Sequence, residues 1–279
     1  MAYDEFKPQL WSDIILDNLD KAQVFGNLAN RSFEGQIKGM GTSVKINEVG
    51  EVTTAPYSGT VQYEELNDSD KVLQINQSVY AGVTLDDVDA TQSNVELMNK
   101  LSQRMAYAIS DNIDQYLAGL HAEAGITVGG ANSVKEIDSA VAISTITGIA
   151  RQMDEKNAPR AGRVMVLPPW FVEKLVLAKI IRDTDNSATM TNGYLGNYLG
   201  FEMYMSNNVV ASGTSYWLPM FFVKGYTIAH AQQILKVEAL RSETSFADKL
   251  RTLSVYGAKV LYPNTLGRIY CKPKVEATI

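Results

Sequence analysis

Cysteine is nearly missing from these 279 residues, with Cys271 standing alone. A single thiol closes no intrachain disulfide, which suits a reducing compartment or a fold that needs no covalent staple. Histidine is almost as scarce: His121 and His230 are the only two, far apart, and neither has partners at zinc-site spacing. No apolar run approaches the ~18 residues that a membrane span requires. The opening MAYDEFKPQLW is acidic and mixed, without the basic and then apolar stretch of a secretory signal. The expectation is a protein made and assembled in a cytoplasm. No repeat of fixed period occurs, so a solenoid or propeller is not expected.

The signatures of catalysis are missing too. Gly39-Met-Gly41-Thr-Ser has no Lys-Ser or Lys-Thr of a phosphate loop, and Gly193, Gly196 and Gly200 are wrongly spaced for a dinucleotide fingerprint. No Gly-x-Ser-x-Gly elbow is present. The 31 acidic residues always allow a carboxylate pair to be imagined, which means nothing without geometry. Asp86, Asp87 and Asp89 could hold calcium, or simply place negative charge before a helix N-terminus. Lys156, Arg160 and Arg163 are the densest basic group. They could face DNA phosphates, or be solvated or turned to another subunit. No aromatic residues interleave there as stacking platforms.

What is present is a foldable chain of ordinary apolar content, long enough for one large or two modest cores. A net charge of −6 prevents the surface as a whole from attracting nucleic acid. Trp11, Ile14, Ile15 and Leu19, continued by Val24, Phe25 and Leu28, form a short amphipathic arm. Val44 and Ile46, and then Leu73, Ile75, Val79, Ala81 and Val83, alternate at strand spacing. Between them lies a charged tip, Glu64-Glu65-Leu66-Asn67-Asp68-Ser69-Asp70-Lys71. This predicts a long two-stranded excursion, which is marginal alone in water and is expected to be supported by another subunit.

Helix spacing follows over 91–122, through Val95, Met98, Met105, Ile109, Ile113, Leu117 and Leu120. Ser93 with Glu96 suggests a capping box, and about 28 residues would span about 42 Å. Residues 133–232 suggest an α/β module. Ser133 and Glu136 suggest a second capping box, residues 163–167 a buried strand, and Pro168-Pro169 a helix start. Residues 182–192 form a polar loop, and 233–270 return to extended spacing.

In this order the pieces resemble the capsid-protein fold of tailed phages that is named for phage HK97, and within it the P22 coat-protein-like family. The resemblance covers essentially the whole chain. It is carried by LDDVDATQSNVEL (85–97), by GYLGNYLGFEMYMSNNV (193–209), taken as a short turn-helix and a strand, by VKGYTIAHAQQ (223–233) and by YGAKVLYPNTLGRI (256–269).

The resemblance implies an α+β fold with an N-terminal arm (1–41), an E-loop hairpin (42–84), a P-domain with a spine helix (85–132), an α/β A-domain (133–232) and return strands (233–279). It implies a major capsid protein and not an enzyme, with no cofactor, metal or catalytic residue. Copies would join as hexamers and pentamers into an icosahedral head around packaged double-stranded DNA. Its other partners would be a separate scaffolding protein and a portal protein. DNA would be met only non-specifically, and a membrane not at all.

Inter-subunit contacts would fall on the E-loop at Lys45, Tyr63, Glu64, Glu65, Asp68, Asp70 and Lys71, and on the arm at Trp11, Ile15 and Phe25. Arg182, Asp183 and Asp185 would line a symmetry axis. The tip charges would set register more than supply energy. Residues 247–263 hold neither Asn nor Glu, which argues against the covalent cross-link of one relative. The chain also lacks room for the inserted domain of the P22 coat protein. Two other readings stand beside this one. An encapsulin-like nanocompartment would show a cargo-peptide groove or a DNA-free shell. A soluble hydrolase or transferase would be a monomer with substrate-dependent activity.

Overall fold

The computed structural model describes residues 23–34, 41, 43–46, 71–86, 96–178, 194–213, 215–241 and 247–274. The described chain begins with a one-turn helix, α1 (Phe25–Leu28), then strands β1 (Ser43–Ile46), β2 (Lys71–Gln74) and β3 (Gln77–Asp86). The long helix α2 (Glu96–Gly119) leads through a 3-10 turn to β4 (Ile126–Val128) and β5 (Lys135–Ile137). Helix α3 (Ser139–Glu155), β6 (Arg163–Leu167) and helix α4 (Pro169–Leu177) follow. Strands β7 (Tyr194–Tyr198), β8 (Phe201–Met205), β9 (Ala211–Ser212), β10 (Tyr216–Trp217) and β11 (Met220–Val223) come next. The chain closes with two 14-residue strands, β12 (Ile228–Arg241) and β13 (Ala247–Val260), and the short β14 (Gly267–Ile269) and β15 (Cys271–Pro273).

A mixed six-stranded sheet, ordered β4-β14-β11-β6-β8-β7, forms the centre. All five residues of β6 are buried because both faces of the sheet are covered. Val164 and Val166, with Met220 and Phe222, pack with the α2 stripe of Ile109, Ile113 and Leu117. Met165 and Leu167, with Phe201, Met203 and Phe221, pack with Ile146, Ile149 and Met153 of α3 and with Phe171 and Leu175 of α4. Pro168 stands at the N-cap of α4 and Pro169 in its first turn, where proline's missing N–H costs nothing. A four-stranded sheet (β5-β15-β10-β9) and a three-stranded sheet (β12-β13-β3) complete the body. The latter leans on α2: Tyr256 donates its hydroxyl to Asn112 Oδ1 at 2.7 Å and meets the Tyr116 ring edge-on at 5.3 Å.

Several expectations change. Ser133 and Glu136 do not cap a helix: Ser133 closes a tight turn with Gly130, and Glu136 lies in β5, ion-paired with Lys272 of β15 at 2.9 Å. The cap of α3 is Asp138, whose Oδ1 accepts the Val141 N–H at 2.8 Å. The partner strand, invisible to local spacing, wins over the box. Residues 194–198 are a strand and not a turn-helix. They pair with β8 through a two-residue turn in which Leu199 (φ 51°) and Gly200 (φ 82°) are both left-handed.

Residues 77–86 do not extend the excursion. They pair with β13, from Gln77↔Tyr256 to Asp86↔Ala247. The 232/233 boundary falls inside β12, and the central sheet takes β4 and β14 from outside 133–232. Helix α2 has 24 residues, about 36 Å, and Ser93 of the expected capping box lies outside the described residues.

Candidate assembly surfaces

Two described regions flank the segments expected to meet other subunits. The first is the β1-β2 ribbon, which brackets residues 47–70. Its last described pair is Ile46↔Lys71, after Ser43↔Gln74, Val44↔Leu73 and Lys45↔Val72. Val44, Leu73 and Ile75 pack with Ala231 and Val255 in a small core of their own. The Gly41 N–H donates to the Ile75 carbonyl at 2.9 Å. β13 passes directly beneath, and a β-carbon on Gly257 would collide with the Gln74 carbonyl, so only glycine allows this approach. Lys71 turns back to its own subunit. Its ammonium donates to the Leu261 carbonyl and lies 4.6 Å from the centroid of the Tyr262 ring. Tyr262 stacks on Tyr226 at 4.2 Å with 6° between the planes. Lys45 is exposed on β1.

The second is residues 23–30, which follow the expected arm. Phe25 is buried at 2% exposure and packs with Ile113 and Leu117 of its own chain. Helix α1 has no side-chain cap of its own. Asp114, from the C-terminal third of α2, supplies one: its carboxylate accepts the Val24 N–H at 2.7 Å and the Gly26 N–H at 3.2 Å. Burial is the largest influence on this carboxyl and pushes its pKa up to about 6, with the three backbone N–H groups of residues 24–26 opposing and Asp111 adding to the rise. Beyond α1, Asn30 bridges to β12 in parallel at Ala229, and Gln23 Nε2 donates to Gln232 Oε1 at 2.8 Å.

His230, fully buried on β12, lies between Gln232 Oε1 (3.3 Å) and the Gly257 carbonyl (3.2 Å). Both partner atoms only accept, so neutral His230, with a single ring N–H, donates to one of them at a time. Burial lowers its pKa to about 4.

The basic group divides: Arg163 turns inward, while Arg160 and Lys156 stay exposed. Arg163 is buried at 3% exposure, donating to Asp154 Oδ1 at 2.7 Å and to the Pro159 and Ala158 carbonyls. Arg160 pairs with Asp154 at 3.0 Å, and Lys156 donates to the Gly125 carbonyl at 2.7 Å. Asp154 is held below the usual carboxylate range, first by the Arg163 hydrogen bond. His121 sits beside Arg268 at 3.3 Å, and burial followed by that positive charge lowers its pKa. Among the described residues no group of three or more His, Cys, Asp or Glu could hold a metal, and no helix is long and apolar enough to cross a membrane.

The three-stranded sheet presents an outer face with Tyr80 (80% exposed), Leu240 and Leu253 around Gly82. Arg251 donates to Glu238 there at 2.6 Å, beside Lys249. Of the other expected contact residues, Trp11, Ile15, Tyr63, Glu64, Glu65, Asp68, Asp70, Arg182, Asp183 and Asp185 lie outside the described residues, as do Asp87 and Asp89. Asp114, Tyr226, Gly257 and Tyr262 were not singled out from sequence. For Asp114 a signal existed, a carboxylate one residue past Ile113 on the edge of the apolar stripe.

The profile of the phage capsid protein family matches residues 73–269, the greater part of the chain. The chain belongs to the phage capsid protein family. It is a major capsid protein, a building block of the phage shell. A solved structure from Mycobacterium phage Che8 shares 28% identity, with 96% of this chain and 98% of that one covered at a TM-score of 0.71. The capsid of Ralstonia phage GP4 (13% identity, 92% and 93% covered, TM-score 0.67) shares the fold. So does the capsid structure of the cyanophage P-SCSP1u (16% identity, 91% and 89% covered, TM-score 0.66). The architecture is thus the α+β fold of HK97-type capsid proteins. No curated protein sequence matches the chain.

Proposed function

We propose that the chain builds its shell as hexamers and pentamers that close an icosahedral head around packaged double-stranded DNA. The observation that carries this reading is the excursion root. β1 and β2 stand side by side up to Ile46↔Lys71, and the sequence between them carries the charged run 64–71. Each excursion is completed by an adjacent copy, through Tyr63, Glu64, Glu65, Asp68 and Asp70. Lys45 stands at its outer base, while Lys71 acts from within its own subunit. Many such modest contacts, repeated by symmetry, give a strong shell.

The arm reaches across in the same way through Trp11 and Ile15, with Phe25 as its anchor on the home subunit. The 182–192 loop, with Arg182, Asp183 and Asp185, lines a symmetry axis. The pairing of Arg160 and buried Arg163 with Asp154 favours non-specific contact with DNA over a dedicated basic site. A separate scaffolding protein and a portal protein join during assembly in the host cytoplasm, and the chain carries no catalysis. Within the family, the motifs at 85–97, 193–209, 223–233 and 256–269 support a P22-like coat protein. The test is Glu64→Lys with Glu65→Lys. The reading predicts a soluble, folded subunit that no longer closes particles by electron microscopy, and normal particles would refute it.

A further inference from the structure

The root of the excursion is built as a mount. β1 and β2 carry four pairs, and that short ribbon is tied to β13 and the residues after it at three levels. At the base, the Gly41 N–H meets Ile75, and Gly257 lets the Gln74 backbone lie directly on β13. In the middle, Leu73 and Ile75 share a core with Val255. At the top, at the last described pair Ile46↔Lys71, Lys71 grips the Leu261 carbonyl and lies over the Tyr262 ring. Tyr262 in turn is stacked on Tyr226, which stands in the turn between β11 and β12.

The top level differs in kind from the others. The lower two bury apolar side chains and backbone, as any folded ribbon must. The top level places a cation on a two-ring stack whose rings come from two different strand ends. One ring follows β13 of the three-stranded sheet. The other follows β11 of the central sheet. Lys71 thereby relates the departing ribbon to both sheets at once. A cation over an aromatic face tolerates little sideways displacement, because the attraction falls away as the charge leaves the ring centre.

We infer that Lys71, Tyr262 and Tyr226 are positioning residues that fix the direction in which the excursion leaves the body, and so the geometry with which one capsid subunit engages the next. This rests on the reading of the excursion as an inter-subunit contact. Loss of the stack leaves a folded subunit whose excursion swings, and swinging excursions close shells of mixed curvature.

The test uses the full chain with Lys71→Met, which keeps the stem and removes the charge, and Tyr262→Leu, which removes the ring. Lys71→Arg and Tyr262→Phe are the conservative partners. Hydrogen exchange is followed at residues 43–46 and 71–74, with 163–167 as the internal reference. Particle diameters are measured by electron microscopy. The expected result for Met and Leu is a roughly tenfold loss of protection at the root, no change at 163–167, and a broadened or aberrant particle population. Arg and Phe restore both readouts.

Unchanged root protection in the Met and Leu variants overturns the mount. Lost protection with particles of normal diameter overturns the positioning role. Failure of the inter-subunit reading is seen separately, as normal assembly with Glu64→Lys and Glu65→Lys.

Discussion

Asp114 Oδ2 accepts the backbone N–H of Val24 at 2.7 Å, joining residues 90 positions apart. The bond lets the C-terminal third of the long helix cap a one-turn helix that has no side-chain cap of its own. Asp114→Ala leaves the Val24 and Gly26 N–H groups without their acceptor. The expected loss is about 2 kcal/mol of unfolding free energy near ~pH 5, where the carboxyl retains its proton and burial costs least. Urea unfolding of the two proteins checks it.

The pH dependence has two opposing sources. Asp114 titrates at about 6 in the fold against an ordinary 3.8, so its contribution is fully present below 3.8 and is lost as pH rises through about 6. His230 titrates at about 4 against 6.5, so its contribution is present above 6.5 and is lost as pH falls through about 4. Each is on the order of 3 kcal/mol. Wild-type stability is therefore expected to be nearly flat from about pH 4 to about pH 6.5. Asp114→Asn should lose stability on acidification across that window, and His230→Gln should gain it. Urea midpoints across the window decide the matter, and slopes of the same sign in both variants would contradict the assignment.

Much of this fold was legible, and the reasons differ by element. Helix α2 declared itself because Ile109, Ile113 and Leu117 fall on one stripe, and β6 because five apolar or buried residues stand together before a double proline. The order of arm, excursion, helix and α/β module supported the family resemblance directly. Pairing choices were less legible. Residues 77–86 alternate equally well as a hairpin arm or as a partner of β13, and spacing alone does not say which. Glu136 obeys a capping rule locally and a strand partner globally. The Lys71 stack could not be foreseen either, since Leu261 lies 190 residues away along the chain. Lys71 was grouped with the charged tip for that reason, although its ammonium grips its own subunit.

Gly257 sets the contact between the excursion root and β13. Gly257→Ala puts a methyl group against the Gln74 backbone, where no side-chain rotation relieves it. The expected cost is about 1–3 kcal/mol, with lost protection centred on residues 71–75. Hydrogen exchange and a thermal melt check it, and a wild-type melt would contradict the close approach.

Cys271 has no exposed surface, and burial drives its thiol pKa far above the ordinary range. A thiol-specific reagent at neutral pH should leave the folded chain unmodified and react fully once urea unfolds it. Rapid labelling of the native protein would contradict the burial.

The central claim is that this chain builds a shell. Light scattering of the full chain, expressed with and without a scaffolding partner and followed by negative-stain microscopy, addresses it most directly. The account predicts closed, megadalton particles of uniform curvature. A stable monomer under every condition, with no particle at any concentration, would contradict it.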